Sequence, residues 1–242
     1  MNQTRPSTQL HIGSVIFPGV DQIDFTGPFE VFSRIPNAAC VTIAKEPGPL
    51  RDTRGLLLTA EKTFSELGQL DLLHVAGGPG QEALMDDEET LAFIRRQSIN
   101  AKYIFSVCTG ALILGAAGLL RGKRATTHWA AFHLLSYFGA IPVDERVVRD
   151  GNLVSAAGVT AGIDGALRVA ELLCGTQKAQ EIQLDIQYAP DPPFNSGSVT
   201  TAPPEVVSAV RAAYQPLTDA RLATAGRIRA KLGMENGARR NG

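Results

Sequence analysis

Short apolar runs rich in Val, Ile and Leu recur along the chain and alternate with longer stretches whose apolar residues repeat at helical spacing. Leu10 to Phe17 predicts a buried strand, followed by a loop holding Asp24 and a helix over Pro28 to Ile35 with Phe29 and Phe32 on one face. Cys40 to Ala44, Leu56 to Thr59 and Leu72 to Ala76 predict further strands, the last ended by Gly77-Gly78-Pro79-Gly80. The acidic stretch Asp86 to Thr90 opens a helix running to about Ser98, because negative charge is favoured at a helix N-terminus. Tyr103 to Val107 predicts the next strand, and Thr109 to Leu119 the helix after it. Val147-Val148 and Leu153-Val154 flank Asp150-Gly151, a dipeptide typical of two-residue hairpins. A helix from about Ala161 to Cys174 follows, then a proline-rich extended loop over Ala189 to Pro204, then helices over Pro204 to Tyr214 and Leu217 to Leu232. This alternation implies an α/β fold with a mostly parallel sheet covered by helices on both faces. One domain over 9–232, with the C-terminal helices included, accounts for it; 1–8 and 233–242 read as a flexible N-terminus and a flexible tail. Such sheets put their sites beyond the C-terminal ends of strands, where Asp24, Gly77-Gly78 and Cys108 fall.

Composition narrows the function classes. Hydrophobic residues make up 44% and charged residues 19% of the 242, as in an ordinary globular protein. The formal net charge of -1 argues against a nucleic-acid or anionic-membrane surface, which needs a concentrated basic patch. No apolar run approaches the roughly 18 residues that span a bilayer. The polar stretch Met1 to Thr8 lacks the pattern of a signal peptide, so a cytoplasmic protein is expected. The three cysteines are far apart and show no CxxC spacing, which disfavours a disulfide framework or structural zinc. No histidine pair has metal-ligand spacing, so no metal is expected.

Cys108 is the strongest candidate for chemistry. It sits between a five-residue apolar strand and a helix rich in Gly and Ala, where the helix N-terminus would lower its pKa and favour the reactive thiolate. Cys40 and Cys174 read as small buried hydrophobes. Asp24 lies between Ile23 and Phe25, so partial desolvation would raise its pKa toward a range useful for proton transfer; Asp21 better fits a capping role. Gly77-Gly78 reads either as a tight turn or as a donor of backbone N–H groups to a developing anion. His128 reads either as a base or orienting partner for the thiolate or as a packed residue beside Trp129. His11, His74 and His133 read as structural.

The run Gly77-Gly78, then Ser106-Val107-Cys108-Thr109-Gly110, then Ala125-Thr126-Thr127-His128-Trp129 resembles the DJ-1/PfpI superfamily over about residues 9 to 200. The resemblance implies a flavodoxin-like three-layer sandwich, a cysteine on a nucleophile elbow and a homodimer. Within the superfamily the chain is most similar to the isocyanide hydratases, in Gln22 to Pro28, Lys45 to Pro49, Glu145 to Leu153, Gly158 to Asp164, and Tyr188 to Asn195. These carry aspartate at the position of Asp24, where many superfamily members carry glutamate. The resemblance implies hydration of an isocyanide, R–NC, to an N-substituted formamide through a covalent cysteine thioimidate, without cofactor or metal. Cys108 would be the nucleophile and Asp24 the proton carrier, with the Thr109 hydroxyl orienting the carboxyl. Gly77 and Gly78 would shape the substrate site, Val159 would line or support the cysteine region, and Gly158 and His128 would be supporting residues. A glyoxalase or deglycase acting on small aldehydes and a cysteine-based redox sensor stay open as alternatives. A transcription regulator with appended helix-turn-helix units is weaker, because the stretch after Ala202 is short for such a region.

Overall fold

The computed structural model describes residues 9–234. The expected flexible ends, 1–8 and nearly all of 233–242, lie outside the described residues. In chain order the elements begin with β1 (Leu10–Val15), α1 (Gln22–Phe32), β2 (Ala38–Ala44), β3 (Pro49–Arg51), β4 (Leu57–Thr59) and β5 (Lys62–Thr63). Then come β6 (Leu72–Val75), α2 (Gln81–Leu84), α3 (Glu88–Ser98), β7 (Tyr103–Val107) and α4 (Gly110–Ala116). The rest are β8 (Arg124–Ala125), a 3-10 helix (Trp129–Phe138), β9 (Ile141–Pro142), β10 (Val147–Asp150), β11 (Leu153–Ala156), α5 (Ala161–Cys174), α6 (Thr176–Asp185) and α7 (Pro204–Lys231).

Seven strands form one sheet in the order β10-β11-β7-β6-β1-β2-β5, parallel throughout except for the β10–β11 hairpin. Strand residues alternate between two buried faces, as the two-residue period of a strand requires. On β6, Leu73 and Val75 enter one apolar cluster with α3, α4 and the 3-10 helix, while Leu72 enters the other with α1 and α5. The chain is therefore the expected α/β sandwich with a mostly parallel sheet. Chain order reverses between β1 and β6, so the loops after β1, β6, β7 and β11 gather at one edge, as ligand sites do in such sheets.

Three local expectations are corrected, and one strand finds its partner. Asp24 is not in a loop. Helix α1 starts six residues before Pro28, at Gln22, capped by the Asp21 carboxylate that accepts from the Ile23 N–H. Proline favours a first helical turn, but here the Asp21 cap sets the start and Pro28 lies inside the helix. Strand β4 pairs not with the main sheet but with β3, in a separate antiparallel ribbon. In the hairpin, Asp150 is still paired with Leu153, so the two turn residues are Gly151 and Asn152. Helix α7 runs continuously through Pro216, where two helices were expected, because its C-terminal half is fixed by burial of Arg221, Thr224, Ala225 and Ile228.

Candidate active site

Cys108 terminates β7 on a strained turn. Its φ of 55° lies in the left-handed region, which a non-glycine residue rarely adopts unless the surroundings enforce it. The surroundings do so here. The Cys108 N–H donates to the Ala156 and Ala157 carbonyls at 3.0 and 2.8 Å, and its carbonyl accepts from the Thr127 hydroxyl at 2.7 Å. The helix after the turn must lie very close to β6. A Cβ on Gly110 would sit 2.2 Å from the Val75 carbonyl oxygen, so only glycine allows the approach. The result is a nearly buried thiol faced by the backbone N–H groups of Thr109 and Val159.

Asp24 is fully buried on the first turn of α1, with Oδ2 accepting from the Gly77 N–H at 3.0 Å. Burial and the nearby Asp21 charge push its carboxyl up to about 8, against a smaller opposing effect from the Cys108 thiol and the Gly77 N–H. At neutral pH Asp24 therefore holds a proton beside the sulfur. The Cys108 thiol does not follow the expected direction. Burial, then the Asp24 carboxylate, raise it well above its ordinary value, outweighing the Thr109 and Val159 N–H groups and Arg221. The electrostatic push from Asp24 exists only when Asp24 is ionised.

Three of the other expected contacts, those of the Thr109 hydroxyl, the Gly77-Gly78 N–H groups and His128, are made elsewhere. The Thr109 hydroxyl is paired with the Gly78 N–H at 3.1 Å and the Gly78 carbonyl at 3.3 Å, not with the Asp24 carboxyl. It pins the glycine turn. The Gly77 N–H is engaged by Asp24 and the Gly78 N–H by Thr109, so neither is free to serve as an oxyanion hole. Gly77 underlies the site: a Cβ there would meet the Thr109 nitrogen at 2.6 Å and Asp24 Oδ2 at 2.8 Å. His128 is no base for the thiol. Its Nδ1 accepts from the Ala130 N–H at 3.3 Å, and burial, then the charge of Arg221, push it down to about 4. Gly158 lies against the His128 ring.

A cavity of about 690 Å³ opens over Cys108, with Gly78, Thr109, His128 and Val159 in its wall. Thr53 and Arg54, from the β3–β4 turn, and Tyr214, Leu217 and Arg221, from α7, complete it. The sequence reading missed these. Arg221 had a signal: it falls on the stripe Arg221, Thr224, Ala225, Ile228, whose other members suit burial. Among the described residues no cluster of three or more His, Cys, Asp or Glu is arranged to hold a metal ion. Among them, too, no helix is long and apolar enough to cross a membrane.

Comparison with known proteins agrees with this geometry. The DJ-1/PfpI family model matches residues 12–172. The chain is 49% identical over 225 residues to the isonitrile hydratase of Pseudomonas putida, covering 93% of this chain and 99% of that protein. It is 26% identical to protein DJ-1alpha of Drosophila melanogaster, over 69% of this chain and 79% of that one. Among solved structures, a ThiJ/PfpI family protein from Pseudomonas syringae superposes with a TM-score of 0.88 at 39% identity, covering 93% of this chain and 98% of that one. The family match takes in the sheet, Asp24 and the Cys108 turn alike, and the chain belongs to the DJ-1/PfpI family.

Proposed function

We propose that the protein is a hydro-lyase that hydrates an isocyanide (isonitrile), R–NC, to an N-substituted formamide, with Cys108 as nucleophile. The observation that carries the reading is a buried, protonated Asp24 beside a thiol at the floor of a cavity. The relatedness to an isonitrile hydratase along nearly the whole chain supports it. The Cys108 thiolate attacks the terminal carbon, and that carbon takes the proton of Asp24, leaving the thioimidate R–N=CH–S. Water then attacks the same carbon while the Asp24 carboxylate takes one of its protons. The remaining hydroxyl proton ends on nitrogen as C=O forms and the C–S bond breaks, releasing the formamide and restoring thiolate and acid. Every atom of the product comes from isocyanide and water, so no step calls for a cofactor or metal.

The N–H groups of Thr109 and Val159 support the sulfur, and Gly77 holds the Asp24 carboxyl in register. Gly78 and Val159 line the substrate cavity, with Gly158 and His128 packed behind. A homodimer, a single domain over 9–232 and a cytoplasmic location belong to the same reading.

Purified protein should form formamide from an alkyl or aryl isocyanide, and Cys108→Ala should form none. Equal product from both would exclude the mechanism. Asp24→Glu should stay folded yet lose most turnover, because a displacement of about 1 Å at the proton carrier costs roughly a hundredfold. Fast turnover of methylglyoxal by a wild type inert to isocyanides would favour an aldehyde substrate instead.

A further inference from the structure

Helix α7 brings a buried arginine to the reacting pair. Arg221 is only 3% exposed and lies in the cavity wall with Cys108. Its Nε donates to Gln81 Oε1 at 3.0 Å, and its Nη2 donates to the Gly78 carbonyl at 3.1 Å and reaches the Thr109 hydroxyl at 3.4 Å. All three partners are neutral, and among the described residues no carboxylate forms an ion pair with it. An arginine stays charged even when burial opposes it, and a buried charge needs compensation.

Resting on the reading of Cys108 as nucleophile, we propose that Arg221 is a positioning residue that sets where the negative charge of the Cys108–Asp24 pair resides: on the sulfur, with the proton on Asp24. Once the pair has lost one proton, it is either S–H with a carboxylate or thiolate with a carboxylic acid. Only the second state can attack and then protonate the isocyanide carbon. Moving the proton from sulfur to carboxylate changes no atom count and leaves one negative charge to be stabilised.

The charged surroundings favour the second state from both sides. Arg221, from α7, acts on Cys108, while the Asp21 charge acts against ionisation of Asp24. The other groups facing Arg221 are Glu82 on α2, Tyr214 on its own helix and His128, which is neutral. The same guanidinium ties Gly78 to Thr109, so the charge is fixed in relation to the turn that carries the sulfur.

The test reads the thiol and needs no isocyanide, so it can fail independently of the hydratase assignment. The rate of Cys108 alkylation by iodoacetamide is measured against pH in the full chain. Arg221→Gln keeps hydrogen-bond donors but removes the charge. Its rate at pH 7 should fall at least about tenfold, the effect of one unit in thiol pKa, and recover as pH rises. Arg221→Lys, which keeps the charge, should stay within about threefold of wild type. A wild-type profile in Arg221→Gln, or equal losses in the two variants, would overturn the proposal in favour of a purely structural role. Should Arg221→Gln not fold, the thiolate ultraviolet absorbance of wild type minus Cys108→Ala decides. A thiolate that forms while Asp24 is still protonated supports the proposal, and one that forms only after Asp24 has ionised refutes it.

Discussion

Asp24 carries a proton for a reason that its neighbours in sequence supply only in part. Ile23 is 40% exposed, so half of the expected apolar flank faces solvent. Desolvation comes instead from the complete burial of Asp24 in the folded chain, which outweighs the opposing hydrogen bonds of the Gly77 backbone and Cys108 brought to the carboxyl by β6 and β7. This has a consequence for stability. Below its ordinary value of 3.8 the group is protonated in the folded and unfolded chain alike. Between there and about 8 only the folded chain keeps the proton, so rising pH favours unfolding by about 1.4 kcal/mol per unit from this group. Above about 8 the loss is complete. Asp24→Asn should therefore be more stable than wild type by a margin that widens from pH 4 to pH 8, as measured by urea unfolding at several pH values. A margin independent of pH would mean that Asp24 ionises freely in the folded protein. A residue kept at this expense suits a chemical role better than a structural one.

At the scale of elements, α4 is set by a single close approach. Gly110→Ala would drive a methyl group into the Val75 carbonyl, and overpacking of this kind costs about 1–3 kcal/mol or more. The variant should unfold at lower urea, and it should also slow alkylation of Cys108, because the elbow cannot keep its geometry while the helix shifts. Unchanged stability would show that α4 has room to move. The cysteine turn, the strand before it and helix α5 could be read from sequence because each is signalled locally, by an apolar run or a helical stripe. The start of α1 could not, because Asp21 and Pro28 are both good helix-start signals and only packing against α5 shows that the helix runs through the second. The partner of β4 was hidden too, since periodicity reveals a strand but not the sheet it joins. The Thr109 hydroxyl was assigned to the wrong partner for a related reason: Gly78 is 31 residues away in the chain and reaches it only through the pairing of β6 with β7.

At the scale of the molecule, the site is a sheet edge closed by a helix that lies beyond the family-matched segment. The sheet and its loops supply Cys108, Asp24 and the glycine turn, while α7 supplies the far wall and Arg221. Its two halves are held very differently. Arg221, Thr224, Ala225 and Ile228 are buried, whereas most residues from Pro204 to Ala213 are exposed. Between them Pro216 removes one helical hydrogen bond. Local opening follows local burial, so the two halves should open with different free energies. In hydrogen exchange, amides from Arg221 to Lys231 should approach the protection of β7, while those from Val206 to Ala213 should exchange at least about tenfold faster. Occupancy of the cavity should slow exchange most between Val210 and Leu217, which line it, without altering the already protected half. Uniform protection along α7 would make the wall as rigid as the sheet. The gradient instead describes a cavity with a fixed floor and charge but an outer wall that yields, so substrates of different R group could reach the same thiol.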